Sequence, residues 1–159
     1  MEFYTIGVYN STETDFFDKL QKNEINTFCD IRKRRGIRGS KYSFVNSKKL
    51  QAKLKNLNIK YLHYIDLAPT KDIRELQKKV DLKNAEFKRD RQFLGQVFIE
   101  EYMNQIVNTF NFKQFITDLE NINAEKVVLF CVEEHHKACH RSILAAKLSS
   151  DLNFNVKHI

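Results

Sequence analysis

Proline occurs once in this chain and glycine four times, which excludes a long flexible linker. Cysteine is scarce and odd in number. Cys29, Cys131 and Cys139 cannot all pair, and they suit a reducing compartment better than a disulfide framework. No apolar run approaches the ~20 residues that a membrane span requires. The opening MEFYTIGVYN lacks the basic-then-apolar layout of a secretion signal. Internal repeats and low-complexity tracts are also missing. What is present argues for order: 42% hydrophobic and 12% aromatic residues exclude a wholly disordered chain. With 30% charged residues and a mean hydropathy of -0.51, the expectation is a soluble, cytoplasmic protein without a membrane partner. At 159 residues it forms one domain, 1–159, long enough to bury most of its unfolded surface without disulfides or metals.

Acidic residues are missing from one stretch. Residues 32–60 hold eleven bases and no acid, whereas residues 1–31 carry a net −4 and residues 61–159 are balanced. The overall +7 is therefore local. Its densest part, RKRRGIRGSK, has six bases between Arg32 and Lys41. Such a run is commonly a solvated loop, and a KRR match to a nuclear address is cheap. Two details favour an anion site. The bases are mostly Arg, whose planar fork suits phosphate and carboxylate, and Gly36 and Gly39 let backbone approach a ligand closely.

Hydrophobic periodicity gives the element order. Strands are expected over 3–8, 25–31, 59–65, 126–132 and 154–158. Helices alternate with them. One is capped by Ser11 or Thr12 and buries Phe16, Phe17 and Leu20; one is capped by Ser47, with Leu50, Leu54 and Leu57 in register; one runs from Thr70 through Leu76. Two more cover 96–109 and 111–122, the first with Phe98, Tyr102, Ile106 and Phe110 in a core stripe, and a last one covers 139–150. Residues 80–94 are polar and weakly periodic, a loop or partly helical excursion. This alternation predicts an α/β fold: a single-domain, Rossmann-like α/β/α sandwich with a mostly parallel sheet of about five strands.

In such a sheet ligands bind beyond the carboxyl ends of the strands. That edge receives Gly7, Val8 and Tyr9 from the first strand, Asp30 and Arg32 from the second, His63 and Tyr64 from the third, and Cys131 and Glu133 from the fourth. Asp30 and Arg32, two residues apart, share a strand face; a structural ion pair is the plain alternative to a site. Cys29 reads as core. The segment CVEEHHKACHRS, 131–142, leaves a buried strand and enters a helix whose N-terminus attracts anions. Cys139 there is a candidate nucleophile with a lowered pKa, and Arg141 a fork for an anion. A cysteine-phosphatase or rhodanese loop is excluded, because the position that chemistry gives to Arg is here Lys137. Cys131, His135, His136, Cys139 and His140 are suitable metal ligands by type. Their spacing matches no closed pattern, so no metal is assigned and no cofactor is expected.

Several of these pieces recur together. Tyr4-Thr5-Ile6-Gly7, Asp30-Ile31-Arg32, Tyr61-Leu62-His63, Cys131-Val132-Glu133 and Cys139-His140-Arg141 resemble, in that order, the domain-of-unknown-function 488 family. Arg34-Arg35-Gly36-Ile37-Arg38-Gly39 and Leu67-Ala68-Pro69-Thr70 are similar to one subgroup of it. Many members carry a Pro and a Ser-Arg pair after the Asp-x-Arg; here the stretch is Lys33-Arg34-Arg35-Gly36, which puts the ligand chosen by this loop apart from the family's. The resemblance implies the fold and the site but no reaction, beyond a loose DNA-repair label on some members.

Three functional readings follow. In the first, the protein binds an anionic, phosphate-containing ligand, a nucleotide or its derivative, and is a candidate enzyme. Its catalytic candidates are Cys139, His63 and Glu133; its ligand-binding candidates are Gly7, Asp30, Arg32, Arg35, Arg38, Cys131, His140 and Arg141. In the second, a DNA-repair or defence-related module grips nucleic acid through 32–60. In the third, a metal-binding protein is centred on 131–140.

Overall fold

The computed structural model describes residues 1–87 and 90–159. Its elements are β1 (Glu2–Ile6), α1 (Glu13–Lys22), β2 (Thr27–Asp30), α2 (Ser47–Asn56), β3 (Lys60–His63), α3 (Lys71–Lys83), α4 (Gln96–Tyr102), α5 (Phe112–Asn121), β4 (Lys126–Phe130), α6 (Arg141–Ser150) and β5 (Val156–His158). The strands form one sheet in the order β3-β2-β4-β1-β5, and every pairing is parallel. The expected α/β sandwich is the arrangement observed, parallel throughout rather than mostly so.

Partners in a ladder share a face of the sheet. Phe28, Tyr61, Val128 and Tyr4 are in register, as are Asp30, His63, Phe130 and Ile6. This first face is covered by α1, whose Phe16 ring lies 6.3 Å from Phe28 and 5.4 Å from Phe130. Beside it Lys53 of α2 reaches over the Phe17 ring. The opposite face carries Phe3, Thr5, Cys29 and Leu129, and there Phe115 of α5 and Phe154, which follows α6, both pack on Phe3.

This layering decides where a crevice opens. The chain runs from β1 to β2 and β3 in one direction, then turns back to β4 and β5. The helices after β1 and β2 therefore cover one face, and the helix after β4 covers the other. β4 lies between β2 and β1, so its exit loop parts from both neighbouring loops, which is where open α/β sheets receive ligands.

Local sequence explains most boundaries. Thr12 caps α1 by accepting from the Asp15 N–H, and the Asp15 side chain returns to the Thr12 N–H, a reciprocal pairing of otherwise unmatched donors. Thr70 caps α3 through the Ile73 N–H. Three expectations need correction. Ser47 is the first residue of α2 rather than its cap, because its N–H donates to the Arg35 carbonyl, and Asn46 takes the cap position. α3 continues to Lys83 rather than ending near Leu76, because Gln77 and Asp81 on its inner face are buried against polar partners. The excursion expected over 80–94 therefore starts at Asn84; its Lys88 and Arg89 lie outside the described residues.

The helix expected over 96–109 is α4 followed by a π turn, Met103–Val107. That wider turn brings Tyr102 and Val107, both buried, to the same side, although a regular α-helix would rotate them apart. Among the described residues no helix is long and apolar enough to cross a membrane.

Phe16 is fully buried and meets the rings of Phe17, Phe28, Phe44 and Phe130. Phe16→Ala should cost about 3–5 kcal/mol. Urea denaturation would read this as a lower midpoint at an unchanged slope.

Candidate functional site at the carboxyl edge of the sheet

β2 ends on Asp30, which is fully buried. Its carboxylate accepts four hydrogen bonds: from the Arg32 backbone N–H at 3.1 Å, Arg32 Nε at 2.8 Å, Arg32 Nη2 at 2.7 Å and the Tyr61 hydroxyl at 2.9 Å. Arg32 Nη2 also donates to the Val45 carbonyl, and the guanidinium lies over the Phe130 ring at 4.4 Å. Arg32 Nη1 is buried without a partner among the described residues. Burial pushes the Tyr61 hydroxyl up to about 12, against the pull of a hydrogen bond from Arg35. Tyr61 therefore stays protonated and donates to Asp30. His63, half-buried, bonds the Arg32 carbonyl through Nε2 at 2.9 Å.

The basic loop beyond Arg32 is exposed at Lys33, Arg34, Arg35, Arg38 and Lys41. It is nevertheless tied down. Asn46 Oδ1 accepts from the Ile37 N–H at 2.6 Å. The Tyr42 hydroxyl accepts from the Asn10 N–H at 3.0 Å, and Asn10 Nδ2 donates to Glu134 at 2.5 Å. Asn10 thus bridges the loops that follow β2 and β4.

Across the crevice, Cys131, Cys139 and His140 are buried together. His140 Nδ1 lies 3.7 Å from Cys139 Sγ and 3.9 Å from Cys131 Sγ. Its Nε2 lies 3.3 Å from the Ile31 carbonyl. That oxygen only accepts, so Nε2 carries a proton and Nδ1 faces the thiols. Burial alone would raise the Cys139 pKa; a hydrogen bond with Cys131 and the charges of His140 and Arg141 outweigh it and hold the thiol well below its ordinary value. Cys29, buried beside the Asp30 charge, is pushed up instead, which is the behaviour of an inert core thiol. Tyr102 meets His140 edge-on at 5.4 Å and donates to the Leu67 carbonyl at 2.6 Å. Burial and the two thiols keep its hydroxyl protonated.

Glu133 Oε2 lies 3.7 Å from Cys131 Sγ, and its Oε1 pairs with Arg91 at 3.2 Å. Arg91 also pairs with Asp81 at 3.0 Å, and Asp81 accepts from Gln77 at 2.7 Å. This buried chain was not legible in the sequence. Arg91 and Asp81 both fall in the weakly periodic stretch 80–94.

The sequence reading offered Arg141 to an anion. In the fold its Nη1 and Nη2 donate to the Glu133 and Glu134 carbonyls at 2.5 and 2.7 Å, while Nε is buried without a partner among the described residues. It ties the loop to the start of α6. Gly7 is packed against this same tie: a Cβ there would lie 2.0 Å from the Glu133 carbonyl oxygen and 3.1 Å from Arg141 Nη2. The structure thus draws Asp30, Arg32, His63, Cys131, Glu133, Cys139, His140, Arg141 and Gly7 to one edge, with Arg35 and Arg38 on the exposed loop above.

Behind the loop after β4, the His136 and His158 rings stack at 3.7 Å, and His158 Nδ1 lies 2.7 Å from Thr5 Oγ1. Both imidazoles titrate below their ordinary value. Burial is the largest cause for each; Arg141 adds to both, and His136 adds to His158.

A family model described as Domain of unknown function DUF488 matches residues 13–148. The match runs from the start of α1 to near the end of α6, and so includes every clustered residue except Gly7; the Tyr4–Gly7 motif precedes it. No curated protein and no solved structure matches the chain.

Gly7→Ala should destabilise by about 3 kcal/mol or more, because backbone rather than a mobile side chain must yield; a denaturant titration tests it. The histidine stack sets a pH trend. Its folded pKa values are depressed, so the unfolded chain binds more protons. The stabilisation is complete above the ordinary imidazole pKa and fades as pH falls through the folded values. The melting temperature should drop between pH 7 and 5, and less so in His136→Gln; an equal drop in the variant would refute the assignment.

Proposed function

The chain belongs to the DUF488 family, and we propose that it binds an anionic, phosphate-containing ligand, a nucleotide or its derivative, in the crevice between the loops after β2 and β4. The Cys131–Cys139–His140 cluster with Glu133 is then the reactive part of an enzyme. One observation carries this reading. Lys33, Arg34, Arg35, Arg38 and Lys41 are exposed on a loop without an acid, make no ion pair with any described residue, and are tethered beside the cluster through Asn46 and Asn10. A ligand anion supplies the countercharge that the fold withholds. Arg35 and Arg38 grip the phosphate. His63, oriented by the Arg32 carbonyl, and Glu133, oriented by Arg91, serve proton transfer or sugar contacts. Arg32, Asp30 and Arg141 act by holding the two loops rather than by touching the ligand.

A second reading, nucleic-acid binding, is favoured by α2, which exposes Lys48, Lys49, Lys53 and Lys55 and continues the positive surface away from the crevice. Calorimetric titration with inorganic pyrophosphate and ADP separates the two. A triple Arg34→Ala/Arg35→Ala/Arg38→Ala variant should lose at least about 100-fold in affinity for them, each charged hydrogen bond being worth about 1.5–3 kcal/mol. Lys48→Ala/Lys49→Ala/Lys55→Ala should leave that affinity unchanged. Wild-type protein that ignores both small anions, yet binds a single-stranded oligonucleotide with a steep salt dependence lost in the lysine variant, would replace the first reading with the second.

A further inference from the structure

We infer that Cys131, Cys139 and His140 form a three-donor site for a zinc-class divalent cation. This deepens the reading of the cluster as the reactive part of the ligand site, and it rests on different atoms from the anion grip. The two Sγ atoms and one imidazole nitrogen lie within 4.8 Å of one another, all on buried residues. Tetrahedral zinc with bonds of ~2.3 Å to sulfur and ~2.0–2.1 Å to nitrogen requires an N···S edge of about 3.6 Å and an S···S edge of about 3.8 Å. The observed N···S separations are 3.7 and 3.9 Å. On both N···S edges the donors therefore already stand within a few tenths of an ångström of the coordination geometry.

Three further features agree. The Nε2 hydrogen bond to the Ile31 carbonyl keeps a proton on Nε2 and leaves Nδ1 as the nitrogen that gives up its own proton to a metal, the way metal-bound imidazoles are commonly held. Two thiolates and an imidazole are soft to borderline donors, which select zinc over magnesium or calcium. Two thiolates also neutralise a divalent cation, so the loaded site adds no net charge to a pocket walled by Tyr102 and beside Arg91 and Arg141. Three protein donors leave a fourth position for water or a ligand oxygen, the pattern of catalytic rather than structural sites. Glu133, 3.7 Å from Cys131 Sγ, sets a carboxylate next to the ligand sphere.

The test uses full-length, tag-free, reduced protein. Elemental analysis should find one equivalent of zinc. Cobalt(II) titration should saturate at one equivalent, with visible bands of tetrahedral intensity and a thiolate-to-cobalt charge-transfer band in the near ultraviolet. Cys131→Ser and Cys139→Ser should each lower zinc affinity, in competition with a chromophoric chelator, by more than the roughly 10–100-fold that loss of an outer hydrogen-bond partner gives. Since buried substitutions can unfold the chain, circular dichroism accompanies each variant, and the metal-free wild type supplies a folded reference. Folded, fully reduced wild type that takes up well under one equivalent of either metal overturns the proposal. So does a charge-transfer band of undiminished intensity in folded Cys139→Ser. Repeating the pyrophosphate titration on zinc-loaded and metal-free protein separates the two readings. Stoichiometric zinc without pyrophosphate binding sinks the anion reading and upholds the metal site; pyrophosphate binding by protein that refuses metal does the reverse.

Discussion

The carboxylate of Asp30 is the point on which the site is hung. It is fully buried at the last position of a central strand, where an unpaired charge would be prohibitively costly. The fold offsets that cost with four donors, three of them from Arg32. The chain is thereby forced to turn at once after the strand, with the guanidinium folded back over Phe130. Everything downstream starts from that turn: the direction of the basic loop, the carbonyl offered to His63, and the approach of Ile31 to His140. Removing either member of such a pair typically costs about 3–5 kcal/mol, because the other is left stranded.

Three buried arginines at this edge meet their burial in different ways. Arg32 is matched one-to-one with Asp30. Arg91 is shared between Asp81 and Glu133. Among the described residues, Arg141 has only carbonyl oxygens on its Nη groups. Arg91 and Arg141 meet at Glu133, whose carboxylate faces Arg91 and whose carbonyl faces Arg141. The loop after β4 is therefore fixed by two guanidinium groups, one gripping the side chain and the other the backbone of a single residue.

Much of the architecture was legible because parallel strands are buried on both faces and read as plain apolar runs such as KVVLF, 126–130, while Thr12 and Thr70 announce their helices. The convergence of residues 30–32, 63 and 131–141 on one edge follows from strand direction alone. What was not legible is what depends on contacts distant in the chain. Arg91 lies in a segment without periodicity and finds Glu133 only through the fold. Arg32 and Arg141 read as anion forks, since donation to a backbone carbonyl leaves no mark in sequence. Ser47 reads as the helix cap, yet Asn46 takes that position and spends its side chain on Ile37. The π turn after α4 is also invisible, because Tyr102 and Val107 share a face only after the helix has widened.

The peptide of Ile31 shows how the imidazole acquires its position. Its N–H still belongs to the sheet, donating to Phe130 at 3.2 Å, while its carbonyl turns to His140. The imidazole is in effect one more rung on the ladder, added by a side chain where the strand pairing stops. A ring held this way inherits the stiffness of the most rigid layer in the molecule, and the entropy of orienting it is spent during folding. Whatever meets Nδ1 finds it already aimed.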